Sequence, residues 1–365
     1  MSGPAARFVD LTGKPEPERE LWPALVIPRE AIEAEVERLA ALPPSDTGRR
    51  QSSIVHPSST GPGAGLAPGI RVTLEVLRPG ERTAPIRHNS TAVQFCLRGG
   101  GRTLVAGRAI SFGRYDVWNL PCWSTYWHEN PGPDLSVRLV YSNAALLEKL
   151  NVHEVEERPS EAPGTAAHDV APAAPPARTL ETFALNDGGA WLMPYETLID
   201  PEAVESRALH WPWPDVKRHL DELQALGSRY VGRRLYLLYN PRTGRTNGTT
   251  PSFFATLTVR PPRIIDRPHR HTSAAINYFF SGSGRSQVAG ATYEWKAGDL
   301  MLSAPGWAVH HHASHDEPVY ELTVQDQPFH LALESLLWQE DMKRPLSVLG
   351  TQRGFATNRG EGEGR

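Results

Sequence analysis

Apolar residues along this chain switch between two periods. Over residues 28 to about 42, Ile32, Val36 and Leu39 recur at helical spacing, and Pro28 suits a first turn, where its missing N–H would have no partner. From about residue 65 to 150 the pattern becomes short β-branched and aromatic runs, IRVTLEVL, TAVQFCL and LSVRLVYS, broken by glycine and proline. Such runs read as strands of a sandwich or barrel. Residues 156–182 are rich in proline and alanine and almost free of large apolar groups, the composition of an extended, mobile linker. A second helix is predicted at about 215–226, with Asp215 as N-cap, Val216, Leu220 and Leu223 on one face, and Gly227 past its end. Strand-like runs resume through about residue 335, and the tail GFATNRGEGEGR is expected to be disordered. The resulting plan is an N-terminal extension with a helix (1–64), a first barrel (65–155), a linker (156–182), an inter-barrel helical segment (183–235), a second barrel (236–340) and a tail (341–365).

The plan rests on an internal repeat. RHNSTAVQFCLRGGG (87–101) lies over RHTSAAINYFFSGSG (270–284) at a constant offset, so that His88 meets His271, Ser90 meets Ser273 and Gly99 meets Gly282. Asp116 meets Asp299 at the same spacing; after a one-residue gain, Pro121 meets Pro305 and Trp123 meets Trp307. Two copies of one β-unit with a glycine turn in the middle imply duplicated barrels.

Composition narrows the functional classes. With 365 residues the chain suits two domains of similar size, and its 31 glycines and 33 prolines supply many turns. A net charge of −3 with mixed signs gives no electrostatic pull toward nucleic acid or an anionic membrane. No apolar stretch approaches the ~20 residues of a membrane span, and the N-terminus has no apolar core of a secretory signal. Two cysteines, Cys96 and Cys122, fit a reducing cytoplasm and read as buried, inert thiols.

The second repeat carries the chemistry. In PHRH, His269 and His271 are two apart, which on a strand points both imidazoles to one face. About forty residues later, GDLMLSAPGWAVHHH supplies a turn, a strand, a Pro-Gly bend and then His310. An HxH pair alone is most often structural. Joined to the glycine turn, the GD turn and a histidine five residues after a proline, it points to a metal held by His269, His271 and His310, with room left for substrate and dioxygen. The first repeat has Ile86 opposite His269 and Tyr126 opposite His310. Of the triad only His88 survives there, His128 aligning with His312, so the first barrel reads as scaffold.

HRH, the glycine turn, GD and PxWxxH resemble the two signature motifs of the cupin superfamily. LYNPRTG (238–244), PHRHTSAAINYFFSGSG (268–284), YEWKAGDLMLSAPGWAVHHH (293–312) and VQDQPFHLALE (324–334) resemble the bicupins similar to gentisate 1,2-dioxygenase, with its salicylate and 1-hydroxy-2-naphthoate relatives. The resemblance implies an all-β fold with accessory helices, two tandem double-stranded β-helix (jelly-roll) barrels. It also implies a cytoplasmic homotetramer or homodimer with Fe(2+) on His269, His271 and His310, which cleaves the ring of a hydroxylated aromatic acid, the substrate chelating the metal and O2 being activated beside it. Asn277, Tyr278 and Trp307 would line the pocket, His312 would hydrogen-bond beside the ligands, and Asp326 would contact substrate or ligands. The glutamate that many single-domain cupins place after HxH is replaced by Ala275 and Ile276, as in the three-histidine group. Asn277 stands where ring-cleaving relatives often carry arginine, and a neutral amide grips a carboxylate less strongly. That opens the reading to aromatic acids other than gentisate. The alternatives are a metal-dependent isomerase, decarboxylase or dehydratase of a biosynthetic pathway, and a non-enzymatic ligand-binding bicupin.

Overall fold

The computed structural model describes residues 6–159, 182–184, 190–194, 206–227 and 233–352. Most of the expected linker and the terminal GFATNRGEGEGR lie outside them. Two barrels of matching topology stand side by side. In the first, a six-stranded sheet runs in the order His210–Trp211, Val117–Leu120, Ala92–Arg98, Ser136–Ser142, Arg71–Leu77 and Arg50–Ile54. The second repeats that order with Leu25–Ile27, Leu300–Pro305, Ala274–Ser281, Val319–Gln325, Phe254–Arg260 and Arg234–Leu237. Smaller sheets close each barrel: in the first one edge is Val155–Glu157, and in the second Leu337–Gln339 lies between Arg270–His271 and the edge strand Ser347–Val348.

The large sheets meet through one apolar core. Along Ala274–Ser281, Ala274, Ile276, Tyr278 and Phe280 face the other barrel, packing with Val93, Phe95, Leu97, Leu139 and Tyr141. Strand alternation sends the odd residues Ala275, Asn277 and Phe279 into the barrel interior. Stacked pairs fill the interiors away from the site: Phe112 on Trp118 at 4.1 Å in the first barrel, and Phe279 on Trp295 at 3.8 Å in the second.

Both predicted helices form, Arg29–Ala41 and Trp213–Ala225; the first buries Ile32, Val36 and Leu39 as expected, and of the face expected in the second Leu220 is buried while Val216 and Leu223 are half-buried. The second helix begins before Asp215, which therefore sits in the first turn instead of capping it. Its cap comes from the barrel: Asp116 Oδ1 accepts from the Trp213 amide at 2.7 Å. Asp299 does the same for the Arg29 amide at 2.8 Å. The strand before each helix crosses over in the same way, Leu25–Ile27 joining the second barrel and His210–Trp211 the first. So the duplicated unit includes the strand and helix that precede each barrel, and residues 25–54 are not a separate extension but the counterpart of 209–237.

Other boundaries also move. Arg50–Ile54 pairs with Arg71–Leu77 and Val155–Glu157 pairs with Ile86–His88, so the first barrel reaches beyond residues 65–155 in both directions. Ser347–Val348, in the stretch read as tail, forms a strand against Leu337–Trp338. Cys96 is buried as expected, whereas Cys122 is exposed, in a turn with Trp123. No helix among the described residues is long and apolar enough to cross a membrane.

Candidate metal centre

Backbone pairing builds the site. His269 and His310 are direct antiparallel partners, exchanging N–H···O bonds of 3.1 and 2.9 Å. His271 lies on the same face as His269, two residues on, and is held in register by its pairing with Trp338. The donor atoms of the three imidazoles all lie within 4.8 Å of one another. His271 and His310 are buried, and His269 is partly exposed.

Each imidazole is oriented by its own strand. Nδ1 of His269 donates to the Arg267 carbonyl at 2.9 Å, that of His271 to the Ser273 carbonyl at 2.8 Å, and that of His310 to the Ala308 carbonyl at 2.9 Å. With Nδ1–H spent on a carbonyl in every case, all three Nε2 lone pairs are left for an ion. Burial keeps them neutral: it pushes the His271 pKa down to about 3, with His269 adding to the shift, and holds His310 well below the ordinary value. The indole of Trp338 lies nearly parallel to His271 and His269, with ring centroids 4.9 and 5.7 Å away.

His312 has the opposite tautomer. Ser286 Oγ accepts from Trp295 Nε1 at 2.9 Å and so gives its own proton to His312 Nδ1 at 2.7 Å. Nε2 then carries the hydrogen, and His312 is a donor beside the triad, not a ligand.

Asn277 does face the barrel interior, but both ends of its amide are engaged, Nδ2 donating to Thr323 Oγ1 at 2.8 Å and Oδ1 accepting from Ser303. The structure does not bring the other three predicted pocket residues to the triad. Tyr278 points from the opposite face of its strand into the inter-barrel core, against Phe95 at 5.6 Å. Trp307 lies under the Arg270 guanidinium at 4.4 Å, and Arg270 alternates away from the two histidines that flank it. Asp326 accepts from the Ala274 amide at 2.8 Å; its counterpart Asn143 accepts from the Thr91 amide at 2.9 Å, so its role here is that of a strand-end brace.

Sequence reasoning missed Trp338, Ser286 and Arg233. Arg233 is partly buried; after burial, the chief cause, its positive charge adds to the lowered pKa of His269, His271 and His312, and it acts on Asp266 and Glu340 as well. The RR pair at 233–234, ahead of LYLLYNP, is the signal that could have drawn notice.

In the first barrel Ile86 pairs with Tyr126, as His269 does with His310. His88 Nε2 bonds the Tyr126 hydroxyl at 3.0 Å and its Nδ1 bonds the Ser90 carbonyl at 3.0 Å, which uses both ring nitrogens. Among the described residues, the second-barrel triad is the one group of three or more metal-ligating side chains close enough to share an ion.

Residues 254–352, the second barrel, match the model of the AraC-like ligand binding domain family. The chain is 29% identical over 314 residues to the 1-hydroxy-2-naphthoate 1,2-dioxygenase of Nocardioides sp. (strain KP7), covering 83% of this chain and 75% of that one. It is 25% identical over 266 residues to the 5-aminosalicylate 1,2-dioxygenase of Comamonas sp, covering 71% and 66%. The crystal structure of the salicylate 1,2-dioxygenase of Pseudaminobacter salicylatoxidans shares the fold, with a TM-score of 0.71 at 17% identity over 91% of this chain and 93% of that one. A two-barrel cupin with a histidine triad is the class this fold and site define. These relatives support placing the chain with the gentisate 1,2-dioxygenase-like cupins, oxidoreductases that incorporate two oxygen atoms.

Proposed function

We propose that this chain is an iron(II)-dependent dioxygenase that opens the ring of an aromatic acid bearing a hydroxyl group ortho to its carboxylate. The observation that carries the reading is the shared tautomer of His269, His271 and His310, each with Nδ1–H on a backbone carbonyl and Nε2 free. A donor set of three neutral imidazoles with no carboxylate fits ferrous iron. When bound, that ion supplies a redox-active divalent centre at which an acid chelating through carboxylate and phenolate meets dioxygen.

The surrounding residues have separate tasks. Because the three ligands add no charge, the site stays positive toward an anionic, chelating acid. Arg233, whose charge bears on His269 and His271, takes the role of gripping the carboxylate, which the neutral Asn277, bonded to Thr323 and Ser303, leaves open. His312 offers Nε2–H to a substrate oxygen and so steadies developing negative charge there. Trp338 walls the site with an apolar face that limits water.

The relatives act, by their names, on hydroxynaphthoate and aminosalicylate, so the test is a panel. Protein purified without oxygen is assayed for metal, then for oxygen uptake with salicylate, gentisate, 5-aminosalicylate and 1-hydroxy-2-naphthoate. One equivalent of iron per chain with substrate-dependent uptake is the expected result. Full iron loading with no uptake for any member would overturn the reading.

A further inference from the structure

The two halves of the molecule differ in how one matching corner is filled. Arg29 and Trp213 are counterparts, since each begins a helix whose first amide is held by the matching barrel-turn aspartate, Asp299 or Asp116. Around Trp213 the corner is solid with rings: Phe280 at 5.0 Å, Tyr320 at 5.4 Å and Tyr115 at 6.2 Å. By strand register and the repeat offset, the residues equivalent to those three on the other side are Leu97, Val137 and Gly298. Four ring-bearing positions there hold an arginine, two aliphatics and a glycine. The lost volume appears as a cleft of about 680 Å³ beside the first helix, bordered by Arg29, Leu97, Val137 and Gly298. Its size falls within the usual range of small-molecule sites.

The remaining walls of the cleft have a definite chemistry. Tyr115 and Phe280, 4.5 Å apart, form an aromatic side. Arg114 lies over Tyr115 at 4.5 Å and, among the described residues, has no carboxylate within ion-pair distance, whereas Arg29 is matched by Glu33 and Arg98 by Glu37. Tyr278 also borders the cleft; it is 8% exposed, and its hydroxyl makes no hydrogen bond to any described residue. That hydroxyl is therefore open to a ligand's polar edge.

We propose that this cleft is a second ligand site, sharing no residue with the histidine triad, for a planar aromatic carboxylate. The ring lies against Tyr115 and Phe280, the carboxylate faces Arg114, and a polar edge of the ligand meets the Tyr278 hydroxyl. The site is independent of metal and of the reaction at the triad.

The probe is naphthalene-2-carboxylate, which lacks the ortho hydroxyl needed to chelate a metal, titrated calorimetrically into the full-length His310→Ala protein. Saturable binding of one equivalent per chain is expected. Arg114→Ala should weaken it about tenfold, and 2-naphthol, with no carboxylate, should bind at least tenfold more weakly. Arg29→Trp combined with Val137→Tyr rebuilds the filled corner and should abolish binding while leaving the melting transition intact. Absence of saturable binding at millimolar probe, equal affinity for 2-naphthol, or unaltered affinity in the folded double variant would each overturn the site. Should the double variant fail to fold, undiminished binding by Arg114→Ala decides against it.

Discussion

Asp299 caps the helix that begins at Arg29, 270 residues away in sequence: its Oδ1 accepts from the Arg29 amide at 2.8 Å while Oδ2 accepts from the Lys296 amide at 2.9 Å. One carboxylate thus closes the GD turn of the second barrel and fastens to it a helix that precedes the first. Asp116 repeats both bonds with Gly113 and Trp213. Removing either leaves two amides short of a partner. Asp299→Ala should cost about 1–3 kcal/mol, read as a lower urea midpoint, and Asp299→Asn should recover part of that.

His310→Ala should reduce bound metal from about one equivalent to near zero, because it removes a ligand that no neighbouring side chain can replace. His88→Ala should leave metal content unchanged, since both nitrogens of that ring are already bonded within the first barrel. Loss of metal on His88→Ala would mean that the wrong barrel has been assigned. Elemental analysis of both variants distinguishes the outcomes.

Arg233→Gln should raise KM for the aromatic acid about 10- to 100-fold with metal content preserved, the loss of one charge-assisted contact of about 1.5–3 kcal/mol. A change in bound metal instead of KM would assign Arg233 to the structure of the site.

Ser286→Ala frees His312 to change tautomer and strands the Trp295 N–H. Turnover should fall by about one order of magnitude or more while iron loading stays near one equivalent. Wild-type kcat in this variant would show that the His312 proton plays no part.

The metal-free protein should lose stability in acid. His271 titrates at about 3 in the fold, pushed down chiefly by burial, against about 6.5 unfolded, and His310 is lowered in the same direction. A depressed histidine contributes stability that is complete above the unfolded value. Below pH 6.5 the unfolded chain takes up protons that the folded one refuses, so stability falls by about 1 kcal/mol per pH unit for each such group. Urea midpoints at pH 8, 7, 6 and 5 should therefore be level at the upper end and drop below about 6.5; His271→Gln should flatten the drop.

Much of this protein is legible in its sequence. A 183-residue offset is exposed by matched residues such as His88 and His271, and the spacing of HxH with a later histidine after Pro-Gly follows from strand geometry, so His269, His271 and His310 stand out before any fold is known. The same offset shows Ile86 and Tyr126 in the ligand positions of the first barrel. Pocket residues were harder to assign. Ala274–Phe280 is buried on both faces, which removes the polar alternation that would have told Asn277, facing inward, from Tyr278, facing the other barrel. Trp338 reaches His271 through a strand pairing 67 residues away, and Arg233 arrives from ahead of the barrel; neither position carries a local pattern. Sequence by itself determined the repeat, the ligand types and the inactive copy, because those depend on residue identity and short-range periodicity. Only the tertiary structure decided which segment packs on which barrel, the tautomer of each histidine and the filling of the two corners, because those depend on hydrogen bonds and volumes shared between residues far apart in the chain.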